Sequence, residues 1–271
     1  MTLMVMEFHY IYNVWLPNSD YCIDEELLFD FEYYDERWDC QLQTAQMDIY
    51  MERRNMENIH IPYHIIDMDQ YPRKSHFDYF RSMLYPYVGV TVNVDVTELK
   101  TFSREKGCSF YLLFMHAVAL AADSVPELRR RIHNGGIIEF DQCGTSHTEA
   151  LDDGTYRYCT LYHHMPLEEY LNEAEKRRNE CRSKKGLCED GNADSLYFIS
   201  SLPWLHYSSL IQPVAGRDES NPRITWGKYE QDAAGRLIMP VTILCHHALV
   251  DGRHLGAFFE RLSLELHTIT G

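Results

Sequence analysis

The chain has 271 residues, 45% of them hydrophobic, enough for one large packed domain and too apolar for a disordered protein. Its 25 basic residues against 41 acidic ones give a formal charge of −16, which argues against a nucleic-acid backbone or an anionic membrane as the main partner. No apolar run approaches the roughly 20 residues that span a bilayer.

Residues 1–57 stand apart, with 13 acidic residues against 3 basic ones and many Tyr, Phe, Trp and Met. They are expected to form an acidic N-terminal extension of unknown role. It either packs on the main domain or folds as an appendage, or the domain opens at Met51 or Met56. The first 15 residues hold no Lys or Arg and no small-residue cleavage site, so they make a poor secretion signal. The 8 cysteines are scattered, with no C-x-x-C pair. That pattern suggests reduced thiols in a cytoplasmic protein rather than a disulfide frame or a zinc site.

From residue 58 to 271 the pattern is α/β. Arg73-Lys74-Ser75-His76-Phe77 opens a helix. Val88–Val96 (VGVTVNVDV) alternates and is rich in β-branched residues, so it reads as a strand. Thr97 is placed to cap the next helix and Gly107 to end it. Phe110–Ala122 is apolar almost all round, as a buried helix would be. Ile137–Phe140 reads as a short strand after an Asn134-Gly135-Gly136 turn. Pro166 starts a polar helix running to Lys185 and stopping at Gly186, its charges (Glu173 and Arg177 among them) predicting a solvated face. Leu196–Ser200 and Leu237–Leu244 read as strands. A last helix covers His254–His267, with Leu255, Phe258, Phe259, Leu262 and Leu266 on one face.

Chemistry concentrates in His246-His247-Ala248-Leu249-Val250-Asp251-Gly252, directly after an apolar strand. A histidine titrates near neutral pH and suits proton removal from a hydroxyl or thiol. The aspartate four residues on suggests an orienting partner, and the glycine a tight turn. Ser200 and Ser201 end another apolar strand, where Pro203 stops ladder pairing, and a hydroxyl there could donate to an oxyanion. There is no G-x-S-x-G, no Walker loop and no G-x-G-x-x-G. His163-His164 lacks a third metal ligand at a usual spacing and reads as a surface turn.

In order, the chain carries Tyr71-Pro72-Arg73-Lys74-Ser75-His76-Phe77, Asn93-Val94-Asp95-Val96-Thr97, Phe110-Tyr111, Ile199-Ser200-Ser201-Leu202-Pro203-Trp204, Thr225-Trp226-Gly227-Lys228-Tyr229, Met239-Pro240 and the His247 segment. Over about residues 58–267 this resembles the chloramphenicol acetyltransferases. H-x-x-x-D-G alone is shared with other CoA-dependent acyltransferases and condensation domains; the remaining pieces favour the one-lobed trimeric type.

The resemblance implies a two-layer α/β sandwich, a mixed β-sheet covered by helices, assembled as a homotrimer with active sites between subunits. It implies an acetyl-CoA-dependent O-acetyltransferase, with acetyl-CoA as co-substrate, no metal, and a small-molecule hydroxyl acceptor, chloramphenicol or another. Antibiotic resistance is the associated role. His247 would be the general base, Ser200 the oxyanion donor and Thr225 the holder of a water. Asp251 would pair with Arg73 in a dry place, where losing one partner costs roughly 3–5 kcal/mol. Trp204, Lys228 and Tyr229 would line the CoA channel and Phe80 the acceptor pocket. The competing reading is a catalytically idle trimeric binding or assembly module of the same fold. The departures fall around the acceptor: Leu84-Tyr85-Pro86-Tyr87-Val88 is more aromatic than usual, residues 145–160 have diverged, and Ser109 stands where a basic residue is common.

Overall fold

The structure is a computed structural model that describes residues 61–183 and 192–271. The acidic extension expected over 1–57 and the expected helix end at Gly186 lie outside these residues.

In chain order the elements are β1 (Tyr63–Ile66), α1 (Lys74–Arg81), β2 (Tyr87–Asp95), α2 (Thr97–Lys106), α3 (Phe110–Asp123) and a 3-10 turn (Pro126–Arg129). Then come β3 (Arg130–His133), β4 (Gly136–Phe140), β5 (Gly144–Ala150), β6 (Tyr156–Leu161), α4 (Leu167–Ser183) and a second 3-10 turn (Ala193–Ser195). The chain closes with β7 (Leu196–Leu202), β8 (Arg223–Gly227), β9 (Glu230–Gln231), β10 (Leu237–His246) and α5 (Gly252–Thr270).

The main sheet runs β2-β10-β8-β7-β5-β6, with β9 paired to β10, and a small second sheet runs β1-β4-β3. The main sheet is mixed: β8, β7 and β5 lie parallel, and the remaining pairs are antiparallel. Side chains alternate across it. Tyr197 and Ile199 of β7, Ile224 and Trp226 of β8, and Met239, Val241, Ile243 and Cys245 of β10 belong to the hydrophobic core. Helices cover this face; Tyr111 and Phe114 of α3 pack their rings on Trp226, and α3 in turn packs against α5. The intervening positions are mixed, and one in each of four strands carries a hydroxyl. Ser200, Thr225, Thr242 and Thr91 face one another in register across four strands.

Local chemistry explains several boundaries. The Asn134-Gly135 turn uses φ of 49° and 80° at its two residues, the geometry that favours Asn-Gly between strands. Ser109 caps α3 by accepting from Leu112 N–H at 3.4 Å. Thr97 does not cap α2 as expected: Val96 holds that position, and Asp95 Oδ1 accepts from Thr97 N–H at 3.0 Å instead. Helix α5 starts at Gly252 rather than His254, because Asp251 caps it. The Asp251 carboxylate accepts from Arg253 N–H at 3.0 Å, and His254 Nδ1 accepts from Asp251 N–H at 3.1 Å. Gly252 therefore makes no left-handed turn; it is the first helical residue, with open space where a Cβ would stand.

The expected solvated face of α4 holds for Glu173 and Arg177, paired at 3.0 Å, but not for the next turn. Arg182 Nη2 reaches inward to Glu149 Oε2 at 2.8 Å, and Arg178 joins it. Glu149 is only 3% exposed, and a buried carboxylate needs such partners.

Candidate active site

The two histidines that end β10 have different environments. His246 is buried and fully engaged: its Nε2 lies 2.8 Å from Arg217 O, and its Nδ1 accepts from Ala248 N–H at 3.2 Å. Burial pushes its pKa below the ordinary histidine value. His247 sits one residue beyond the strand in the turn and is half-buried. Its backbone N–H donates to Pro86 O at 2.7 Å, fixing the turn against the start of β2. Its Nδ1 lies 2.9 Å from Val250 O. A carbonyl only accepts, so Nδ1 is the donor there, and in the neutral ring the lone pair sits on Nε2. The imidazole lies flat on Phe80 of α1, with centroids 3.7 Å apart and planes at 17°. This histidine has one nitrogen anchored and one face covered, and its Nε2 meets no hydrogen-bond partner among the described residues.

Asp251 buttresses the same turn. Arg73 Nη1 donates to its Oδ2 at 2.6 Å and lies 3.4 Å from His254 Nε2. Burial opposes ionisation of Asp251, but the hydrogen bond from Arg73 and the charges of His254 and Arg73 together outweigh it, holding the carboxyl below its usual value. The pair is not dry, however: the side chains are 24% and 34% exposed. The 3–5 kcal/mol expected for a buried pair is therefore too large, and about 1–2 kcal/mol fits a partly solvated one. His254, which sequence reasoning did not single out, is the third member of this group. Its i, i+3 spacing from a helix-capping aspartate is the signal that could have found it.

Ser200 and Thr225 form a second group on the polar face of the sheet. They are cross-strand partners. Thr225 Oγ1 donates to Gln212 Oε1 at 3.1 Å, so that hydroxyl is held by a side chain 13 residues away that no motif singles out. Tyr207 O–H donates to Thr225 O at 2.9 Å and accepts from Thr242 Oγ1 at 3.3 Å. The loop carrying Trp204 is bound to this group, since Lys228 N–H donates to Leu205 O at 2.7 Å. Gly227 makes that approach possible: a Cβ there would lie 2.5 Å from Leu205 O. Trp204 is 77% exposed and Lys228 is exposed beside it. Tyr229 turns back, its ring edge-on to Phe110 and under the Lys100 ammonium.

One chain does not bring the two groups together. Thr242, in register with Thr225, lies four strand residues before His246, about 13 Å along β10, and Ser200 lies two further strand spacings away. His247, Phe80, Asp251 and Arg73 form one cluster, and Ser200, Thr225 and the Trp204–Lys228 loops form the other. Within a chain they cannot share a reacting atom.

Comparison with known proteins gives this arrangement a family. The model of the family described as chloramphenicol acetyltransferase matches residues 61–263. The chain belongs to the chloramphenicol acetyltransferase family. It is thus an acyltransferase by family. Chloramphenicol acetyltransferase 2 of Escherichia coli is 27% identical over 202 residues, covering 73% of this chain and 94% of that protein. Chloramphenicol acetyltransferase of Klebsiella sp. is 28% identical over 204 residues, covering 74% and 92%. A solved chloramphenicol acetyltransferase superposes with a TM-score of 0.71 at 25% identity, covering 76% of this chain and 100% of that one. A probable dihydrolipoamide acetyltransferase from Listeria monocytogenes shares the fold at a TM-score of 0.56 and 17% identity.

Two other expectations about this family member meet the structure. The surface position expected of His163-His164 holds for His164, 39% exposed, and not for His163, 1% exposed. The reason is a partner invisible in local sequence, Asp123, 40 residues earlier, which both rings hydrogen-bond. Cys108, Cys143, Cys159, Cys181 and Cys245 are free thiols. Among the described residues no helix is long and apolar enough to cross a membrane.

Proposed function

We propose that the chain transfers an acetyl group from acetyl-CoA to the hydroxyl of a small-molecule acceptor, in a site completed by the Ser200 half of a second copy. The observation that supports this reading is the setting of His247: Nδ1 anchored on Val250 O at 2.9 Å, ring stacked on Phe80, and Nε2 without a partner among the described residues. An alcohol is a poor nucleophile until its proton is being removed, and a positioned base contributes roughly 10²–10⁴-fold. In the proposed step the acceptor O–H gives its proton to His247 Nε2 while its oxygen bonds to the thioester carbonyl carbon. The resulting oxyanion accepts a hydrogen bond from Ser200, with Thr225 beside it. The C–S bond then breaks, and the leaving thiolate takes the proton back from the imidazolium. Chloramphenicol is one acceptor to try, because relatives bear its name.

Homotrimeric assembly is part of the proposal. Large apolar side chains stand exposed on both halves: Tyr79, Leu84 and Tyr85 beside His247, and Trp204 and Leu205 beside Ser200. Such surface supports burial between copies. The exposed Trp204 and the Lys228 cation suit a flat, anionic nucleotide such as CoA. Asp251 and Arg73 hold the His247 turn and touch no reactant.

Release of CoA thiol on adding acetyl-CoA and an acceptor panel tests the reading. The wild type should turn over, and His247→Ala should lose at least about 10²-fold with its thermal transition unchanged. Near-native turnover in that variant would remove His247 as the base.

A further inference from the structure

Well away in sequence from both halves of the reaction site, a buried carboxylate at the end of α3 is met by two imidazoles. Asp123 is the last residue of α3, and its side chain is 7% exposed. His163 and His164 come from the segment between β6 and α4. His163 Nε2 lies 3.1 Å from Asp123 Oδ2, and His164 Nε2 hydrogen-bonds the same oxygen. The two rings lie 4.4 Å apart at 36°. One ligand atom from each of the three residues falls within 4.8 Å of the others.

The remaining contacts of the carboxylate come from neutral donors. Tyr197 O–H donates to Oδ1 at 2.7 Å, and Cys143 N–H is shared between Oδ1 and Oδ2 at 3.1 and 3.3 Å. Among the described residues no lysine or arginine pairs with this carboxylate, whereas the buried Glu149 has two arginines. A carboxylate taken out of water needs a compensating positive charge.

Two imidazole nitrogens and a carboxylate oxygen are a donor set for a divalent transition ion. Ligands at about 2.0–2.1 Å in a tetrahedron stand roughly 3.3 Å apart, close to the 3.1 Å between His163 and Asp123. His164 is 39% exposed, so its ring can swing outward slightly to admit an ion, and a fourth position would face water. The hydrogen bonds from Tyr197 and Cys143 would orient the ligating carboxylate, as outer partners of metal sites do.

We propose that Asp123, His163 and His164 bind one divalent transition-metal ion, zinc foremost, and that the ion ties the end of α3 to the connection between β6 and α4. The acyl transfer proposed above uses none of these residues, so the site is independent of it.

The test uses the full-length, untagged protein stripped with a chelator. Zinc titration by calorimetry, cobalt(II) titration by visible absorbance and thermal unfolding with and without zinc are then compared. One equivalent per chain should bind with a micromolar or tighter constant, cobalt should give low-coordinate ligand-field bands, and zinc should raise the unfolding temperature. His164→Ala, at a partly exposed position, should fold and weaken binding at least tenfold, and Asp123→Asn should do the same. If either variant fails to fold, X-ray absorption of the cobalt-loaded wild type decides, with two imidazoles and one oxygen expected. Absence of stoichiometric binding, equal binding in His164→Ala, or a cobalt shell without two imidazoles would overturn the proposal.

Discussion

The imidazole of His247 lies face to face with the ring of Phe80, centroids 3.7 Å apart and planes at 17°. Together with the hydrogen bond to Val250 O this leaves the ring one orientation. Phe80→Ala should therefore lower kcat about tenfold or more, measured well below a thermal transition that drops because the ring packs against the core, while acetyl-CoA affinity stays near wild type, because a misaligned base costs rate. Phe80→Tyr should keep the stack and most of the rate. Steady-state kinetics on both variants check this; equal losses in the two would mean that stacking is not what matters.

Ser200 is proposed to donate to the oxyanion. Ser200→Ala should reduce the chemical step about 10²–10³-fold with little change in CoA binding. Single-turnover rates and CoA titration separate the two effects. A changed affinity with an unchanged rate constant would move Ser200 into binding.

Asp251 does two jobs, pairing with Arg73 and capping α5. Asp251→Asn keeps a capping side chain and loses the charge, so it should cost about 1 kcal/mol. Asp251→Ala loses both and should cost about 2 kcal/mol. Urea unfolding measures the difference, and equal costs would show that the cap contributes nothing.

Glu149 sets an acid limit. Burial opposes its ionisation, but hydrogen bonds from His147 and Arg178 and the charge of Arg178 bring it down to about 2. A depressed carboxyl stabilises the fold above its unfolded value and loses that contribution as pH falls towards the folded value. Between pH 5 and 2 the wild type should lose about 3 kcal/mol more than Glu149→Gln. Parallel curves for the two proteins across that range would contradict the assignment.

What could be read from the sequence follows physical lines. β2 was visible because VGVTVNVDV alternates, and α3 because its apolar residues run all round. β5 carries no strand signature: its sequence GTSHTEA is polar, and its buried Glu149 is matched by Arg178 and Arg182 of α4 and by His147 beside it. The His247 turn announces itself, since its working parts lie within five residues. Gln212 and His163 do not, because their partners Thr225 and Asp123 are distant in sequence. The division between the His247 cluster and the Ser200 cluster is a property of strand register, which no local motif encodes.

That division is the central claim, and mixed assemblies test it most directly. His247→Ala and Ser200→Ala proteins, each nearly inactive, are unfolded together in equal amounts and refolded, and thiol release is measured. If a site takes its histidine from one copy and its serine from the next, about a quarter of the sites in random mixed trimers regain both groups, and activity should rise far above either parent. Activity that stays at the parental level, in assemblies shown to contain both chains, would contradict the account.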